Sequence, residues 1–317
     1  MQPKVSIIIP SRNCIHLNPT VEDIFANARG DIEVIVTLDG WVPPTALKYR
    51  DNLTVIYNSE ARGLRHGINN MVRLAKGEWI FKCDDHCMFG EGFDTILAAE
   101  TEPDWLVTPS RYSMDADRWI KRNKKVEYLY LTFPYVHDSM YGDGFHGRKW
   151  IGEDGIGQNM GFSEYFYMEN TRSKFKIDDI QTIQGSGWFM SKEHFRNIGG
   201  LDEVHSRFYQ EANELCFKTW MSGGRCVVNK NTWYAHFHKD EPSGFGMRMS
   251  DKRETQRFST WVWMNNKWPR AKHDMTWFVD KFNPPTWPKD WKSHVKDDSD
   301  FKVFDEFGRD GFFAVDR

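Results

Sequence analysis

Asp84, Asp85 and His86 follow directly on an apolar run, Trp79-Ile80-Phe81, in the stretch AKGEWIFKCDDHC at 75–87. Residues 78–83 read as a short buried strand that ends at the carboxylate pair. Alternate residues of a strand share a side, so Asp84 and His86 can converge on one point while Asp85 faces away. A carboxylate and an imidazole together suit a divalent cation of the manganese type. The carboxyl ends of strands are also where open α/β sheets bind ligands. The plain alternative is a strand end with two solvated aspartates and a turn histidine. Cys83 and Cys87 flank the motif and could act as thiolate ligands, although core thiols are the commoner case.

Other chemistry-bearing residues recur at the ends of expected elements. His236 and His238 close the strand expected at 233–237, preceded by another at 226–229, and share a face by the same two-residue rule. A helix expected at 211–221 carries Glu211 and Glu214 beside Leu215, Phe217, Lys218 and Trp220, and ends at Gly223-Gly224. Near the N-terminus, a Val/Ile-rich strand at 4–10 runs into Ser11-Arg12-Asn13, and a helix at 18–28 takes Thr20 as its N-cap. Strands at 33–38 and 53–57 and a helix at 67–75 follow. Strand, loop and helix repeated in this way predict an α/β unit with a parallel sheet. Asp39, in an Asp-Gly pair, then lies on the same sheet edge as residues 11–13 and 84–86. A nucleotide there could meet Asp39 through its base, and Arg62 or Arg65 through base or phosphate; a simple turn is the plainer use of Asp39.

The chain has 317 residues, room for one large α/β domain with an appendage or for two domains. A formal charge of -3 excludes bulk attraction to nucleic acid or to an anionic membrane, so such binding would need a local basic patch. One candidate patch is residues 111–125, with Arg111, Arg118, Lys121, Arg122, Lys124 and Lys125 around Tyr112 and Trp119. It is either a solvated face or an anion- or acceptor-binding one. No run of 18 apolar residues exists, so no membrane-spanning helix is expected, and the N-terminal run up to Pro10 reads as a core strand. Five scattered cysteines without a CxxC spacing point to a reduced, cytoplasmic setting. A Gly-rich loop is expected at 142–161, and QGSGWF at 184–189 is a place for close backbone approach to a ligand. Residues 241–317 change character: tryptophans alternate with Arg and Lys among prolines, an irregular extension clamped to the main domain. The division expected is 1–240 as catalytic domain and 241–317 as extension.

These segments resemble family 2 glycosyltransferases and their GT-A relatives, in the PSRN strand end, Asp39-Gly40 and the AKGEWIFKCDDH block. The closer resemblance is to polypeptide N-acetylgalactosaminyltransferases. It is carried by Arg62-Gly63-Leu64, Ala75-x-Gly77, Asp84-x-His86-Cys87, Gly187-Trp188-Phe189, residues 198–203, Glu211-x-x-Glu214 and Tyr234-Ala235-His236. The resemblance implies a GT-A α/β fold, with a Rossmann-like nucleotide-sugar-binding sheet, and a sugar transferred from a UDP-sugar. It implies Mn2+ (or Mg2+) held by Asp84, His86 and His236. It further implies nucleotide contacts among Pro10, Arg12, Asp39, Arg62, Arg65, Asp85, Gly187 and Trp188, with Asp85 closest to ribose or sugar. Inverting members carry a Glu-Asp pair where this chain has Glu211-Ala212. Either Glu211 or Glu214 is then the catalytic base, or configuration is retained, which is the reading favoured here. The acceptor expected is a saccharide or glycoconjugate, or else DNA with a hydroxymethylated base if the chain is a phage-type enzyme working in a host cytoplasm. Stacking tryptophans and basic clusters at 111–125 and 257–292 suit either one. A non-catalytic carbohydrate-binding or scaffold protein on the same fold is the remaining alternative.

Overall fold

A computed structural model describes residues 4–135, 144–149, 172–203, 209–238 and 249–301, with side chains left aside at 249–252 and 299. The loop expected at 142–161 is described only at 144–149; its remainder lies outside the described residues, as does the chain after 301.

The strands are β1 (Val5–Ser11), β2 (Ile32–Asp39), β3 (Leu53–Asn58), β4 (Trp79–Cys83), β5 (Cys87–Phe89) and β6 (Trp105–Asp115). They continue as β7 (Ile120–Val126), β8 (Leu129–Leu131), β9 (Gly147–Lys149), β10 (Ile177–Asp179), β11 (Gly187–Ser191) and β12 (Arg225–His236). The principal sheet runs β10-β12-β6-β11-β4-β1-β2-β3, with β5 added to β12 and β7 added to β6. Strands β4, β1, β2 and β3 are parallel, as the alternation of strand and helix predicts, but β11 enters antiparallel between β4 and β6. The sheet is therefore mixed.

The two-residue period divides the core cleanly. In β4, Trp79, Phe81 and Cys83 join one apolar cluster and Ile80 the other. The first face is covered by α1 (Leu17–Asn27) and α3 (Phe93–Glu100). The second is covered by α2 (Leu64–Leu74) and α5 (Glu211–Met221), while α4 (Lys192–Asn197) connects β11 to it. Helix α1 starts three residues before Thr20, which is therefore not its N-cap. Thr20 is buried inside the helix, and its hydroxyl accepts from the Cys87 amide at 3.1 Å.

The C-terminal segment is more regular than its prolines suggest. Helices α6 (Met249–Met264) and α7 (Met275–Phe282) bring Trp261, Trp263, Trp268 and Phe278 into the same cluster as Phe217 and Trp220 of α5. Phe217 meets the Trp263 ring at 5.1 Å and the Phe278 ring at 5.3 Å between centroids. Arg257 pairs with Asp298 and Asp300. These tryptophans thus serve packing, and Arg257 is matched by acids rather than offered to phosphate. The expected strands at 226–229 and 233–237 are one strand, β12, bent by a bulge between Asn229 and Trp233. No helix among the described residues is long and apolar enough to cross a membrane.

Burial of His194 on α4, beside Thr219, pushes its imidazole down to about 4. The folded protein thus holds this ring neutral at a pH where the unfolded chain, near 6.5, takes a proton. Stability from this residue is present above about pH 6.5 and is lost as pH falls toward 4, at up to roughly 1.4 kcal/mol per unit. A His194→Asn variant should lose less melting temperature than the parent between about pH 7.5 and 5. Equal losses would remove the assignment.

Candidate metal and donor site

The carboxyl end of β4 carries Asp84 and His86 to one point, and the end of β12 brings His236 to the same point. The His236 Nε2 lies 3.2 Å from Asp84 Oδ2, and His86 Nε2 lies 3.9 Å from the same oxygen. The two imidazole rings sit 4.6 Å apart between centroids. Of the histidines at the end of β12, His236 is the one that joins Asp84 and His86, and one ligand atom from each of the three lies within 4.8 Å of the others. The donor set, one carboxylate and two imidazoles, fits a divalent ion with coordination positions left over for a ligand.

Asp85 lies in the bend after β4, buried rather than solvated, and it does not face away from His86 as the strand period predicts. It accepts from the Ser11 hydroxyl at 2.6 Å and lies 2.7 Å from His86 Nδ1. In this structure its partners are Ser11 and His86, the arrangement in which a carboxylate behind a ligating histidine orients the ring. Cys14 completes a second buried group with Asp85 and His86, its thiol 3.7 Å from the same Nδ1. Cys83 and Cys87 are core thiols pushed up by burial, which argues against thiolate ligation.

Two buried cations flank the cluster. Lys82 precedes Asp84 by two residues, so it shares that face of β4; its ammonium bonds Asp84 Oδ1 and the Gly185 carbonyl. Burial opposes its charge, but Asp84 and Glu211 outweigh that penalty and hold Lys82 above the usual lysine value. In return Lys82, then His236, hold Asp84 well below the carboxylate range against its own burial. Lys82 was missed in the sequence, although a lysine two residues before the first aspartate of an apolar strand was the available signal.

The second cation is Arg111, which corrects its place in a solvated basic face. It is buried on β6, with Nη2 3.1 Å from His236 Nδ1 and also bonded to His238. Burial, ahead of any charge, pushes the His236 imidazole down to about 3, so the ring is neutral at ordinary pH. With Arg111 donating to Nδ1, the neutral ring carries its proton on Nε2 and gives it to Asp84. A metal at Nε2 requires that proton to leave and Arg111 to release Nδ1.

Around the nucleotide edge, Asp39 is buried at the end of β2. Its carboxylate accepts from the Arg62 amide at 2.8 Å, the Gly63 amide at 2.9 Å and Asn58 at 3.0 Å. It fastens the mouth of the sheet between β2, β3 and α2, leaving the Arg62 side chain exposed beside it. Pro10 and Arg12 lie at the adjoining end of β1, half-buried.

Three expected roles, those of Arg65, Glu214 and Trp188, do not match the geometry. Arg65 is fully buried, bonded to Glu214, the Asp202 carbonyl at 3.0 Å and the Tyr209 carbonyl at 2.8 Å, so it cannot reach a nucleotide. Glu214 is committed to Arg65 and Lys218 and accepts the Asp202 amide at 2.9 Å, so it is a structural carboxylate and not a base. Trp188 is wholly buried on β11 and stacks on Phe195 at 6.0 Å, so its ring offers no exposed face to a nucleotide. Gly187 is required by the Tyr234 ring, which an added Cβ would approach to 2.7 Å. Glu211 differs from Glu214: it is buried, but its Oε2 has no hydrogen-bond partner, and its Oε1 lies where a Cβ on Gly185 would sit 2.7 Å away.

Comparison with known proteins gives a family and a fold. Residues 6–199 match the family profile described as Glycosyl transferase family 2. Over 215 residues the chain is 25% identical to polypeptide N-acetylgalactosaminyltransferase 3 of Taeniopygia guttata, a match that spans 66% of this chain but 32% of that protein. Among solved structures, GalNAc-T7 with UDP, GalNAc and Mn2+ superposes with a TM-score of 0.58 at 12% identity, covering 90% of this chain and 56% of that one. S. aureus TarS 1–349 in complex with UDP-GlcNAc gives 0.55 at 14% identity, covering 87% and 69%. The structural likeness is a likeness of fold. The chain spans about a third of the curated relative and just over half of GalNAc-T7.

Proposed function

Because the chain belongs to glycosyl transferase family 2 and is a glycosyltransferase of GT-A fold, we propose that it transfers a sugar from a UDP-sugar to an acceptor hydroxyl with a divalent metal, Mn2+ or Mg2+. The observation that carries this reading is the convergence of Asp84, His86 and His236 from two strands on one point. The imidazole pair favours Mn2+ over Mg2+. When bound, the ion would neutralise charge on the departing nucleotide diphosphate, worth several kcal/mol. UDP beside GalNAc and Mn2+ in the GalNAc-T7 structure, and UDP-GlcNAc in the TarS structure, support the same donor class here.

The chain's own residues divide the remaining work. Asp39 holds the loop that meets the base, and Arg62 and Arg12 stand at the mouth for the base and phosphates. Lys82 holds Asp84 by one oxygen and leaves the other for the metal. Glu211, with its unpartnered oxygen, is positioned for a hydroxyl of sugar or acceptor. Ala212 cannot take a proton, and Glu214 is committed elsewhere, so retention of configuration is favoured and Glu211 is a contact rather than an essential base. The acceptor is a saccharide or glycoconjugate, or a modified DNA base. The five buried free thiols suit a cytoplasmic setting.

UDP release should be measured over a panel of UDP-sugars with Mn2+ and with EDTA. One donor should turn over only with metal. Glu211→Gln should slow it while leaving the melting temperature near that of the parent. The linkage in the product, read by NMR, should keep the donor's anomeric configuration. Turnover unaffected by EDTA would remove the metal role, no turnover with any donor would favour the binding-protein alternative, and an inverted product would make Glu211 the base.

A further inference from the structure

The β6–β7 hairpin presents a run of basic residues near the metal cluster. From Asp117 to Val126 the chain carries five cations and one acid, within a protein whose formal charge is -3. On β7, Arg122, Lys124 and Lys125 are exposed. Arg122 pairs with Asp115 at 2.9 Å and Lys125 with Glu127 at 3.0 Å, exposed contacts of small worth that an anion can replace.

Two features make this strand more than a charged edge. First, its place is set. Trp119, in the left-handed region at φ 54, donates its indole N–H to Asp23 of α1 at 2.9 Å, which pins the tip. Second, flat aromatic faces lie among the cations. Lys121 rests on the Tyr112 ring at 4.1 Å and on the Trp233 ring at 4.7 Å, and Phe175 is half exposed between Lys174 and Lys176.

The strip also stands at a working distance from the site. Tyr112 pairs with Lys125 on one side and with Ala235 on the other, next to His236. Two inter-strand spacings, about 10 Å, separate β7 from the strand that carries His236. Cations tracking a backbone with aromatic faces between them are what single-stranded nucleic acids require of a binding surface. We infer that the β6–β7 hairpin docks the phosphodiester backbone of a single-stranded nucleic acid and presents it to the metal site as acceptor. The inference deepens the transferase reading, on which the word acceptor rests; the docking itself does not depend on that reading.

The test is therefore run without donor and in EDTA. A fluorescein-labelled single-stranded DNA of roughly 20 nucleotides is titrated with the full chain, by anisotropy, at about 50 and 200 mM salt. With about four phosphate contacts, the dissociation constant should rise roughly 50-fold across that range. An Arg122→Gln/Lys124→Gln/Lys125→Gln variant should bind at least about tenfold more weakly at low salt, and its logarithmic salt slope should shrink by about 2. Its melting temperature and its metal-dependent UDP release from donor alone should match the parent. No salt-dependent binding by the parent, or equal binding by the variant, overturns the inference. So does an acidic polysaccharide that competes better than DNA, which would give the surface to a charged glycan. Failure of UDP release would leave the binding result standing and strike only the transferase reading.

Discussion

Replacing Asp84 with asparagine is expected to lower metal-dependent UDP release by at least about a thousandfold, the equivalent of roughly 4 kcal/mol in the barrier. The amide side chain would keep an acceptor oxygen for Lys82 but carry no charge. The buried cluster would then hold Lys82 and Arg111, two imidazoles and no ligand carboxylate. A divalent cation entering that environment meets two fixed positive charges and only dipoles as ligands. The loss should therefore appear in binding as well as in rate: Mn2+ titrated by electron paramagnetic resonance should bind the parent and not the variant at the same concentrations. His236→Ala should behave alike, because its Nε2 is the second strand's contribution to the cluster. Retained Mn2+ affinity in Asp84→Asn would place the ion elsewhere and undo the metal assignment.

Glu214→Ala should destabilise the fold by about 3–5 kcal/mol, the cost of leaving a buried ion unpaired. Here two cations lose their partner at once. Arg65 and Lys218 are both almost wholly buried, and Glu214 stands between them. Arg65 keeps the Asp202 and Tyr209 carbonyls, and Lys218 keeps the Gly200 carbonyl at 2.7 Å, but neither supplies charge. Urea denaturation of the variant should show a lower midpoint with an unchanged slope. Glu211→Gln, three residues earlier on the same helix, should leave the midpoint almost unmoved. The contrast separates the two carboxylates: one holds the layers together, the other faces the site. A Glu214→Ala protein as stable as the parent would mean that Arg65 finds another partner, and its removal from the nucleotide site would have to be reconsidered.

Much of the fold follows from local pattern. The apolar runs of β1, β2 and β4 are strands because β-branched and aromatic residues cluster there, and their alternate residues do fall into two separate cores. The same period puts Asp84 with His86, as the structure does, but it turns Asp85 away, whereas the bend after β4 brings Asp85 to the His86 ring. Resemblance added His236, which no local rule could connect to Asp84, 152 residues earlier.

Local period decides which side of a strand a residue takes, but not what covers that side. The resemblance makes Gly187 and Trp188 ligand contacts, at the end of the Gly185-Ser186-Gly187 turn. Only the packing of Tyr234 and Phe195 shows that the glycine makes room for a ring and that the tryptophan faces the core. Arg65 and Glu214 look like surface charges in their helices, and their pairing across 149 residues becomes visible only when α2 and α5 lie on the same face of the sheet. Arg111 belongs to a run of basic residues in the sequence, yet its position on β6 turns it inward to His236 while Lys124 and Lys125 stay outside. The sequence by itself determined the elements, their buried faces and the first two members of the metal cluster, because these depend on neighbours about two to four residues away. The tertiary structure alone decided which charges are paired, which carboxylate keeps an unbonded oxygen and where the basic hairpin stands. Those depend on contacts between distant segments, which burial brings together and which no local period encodes.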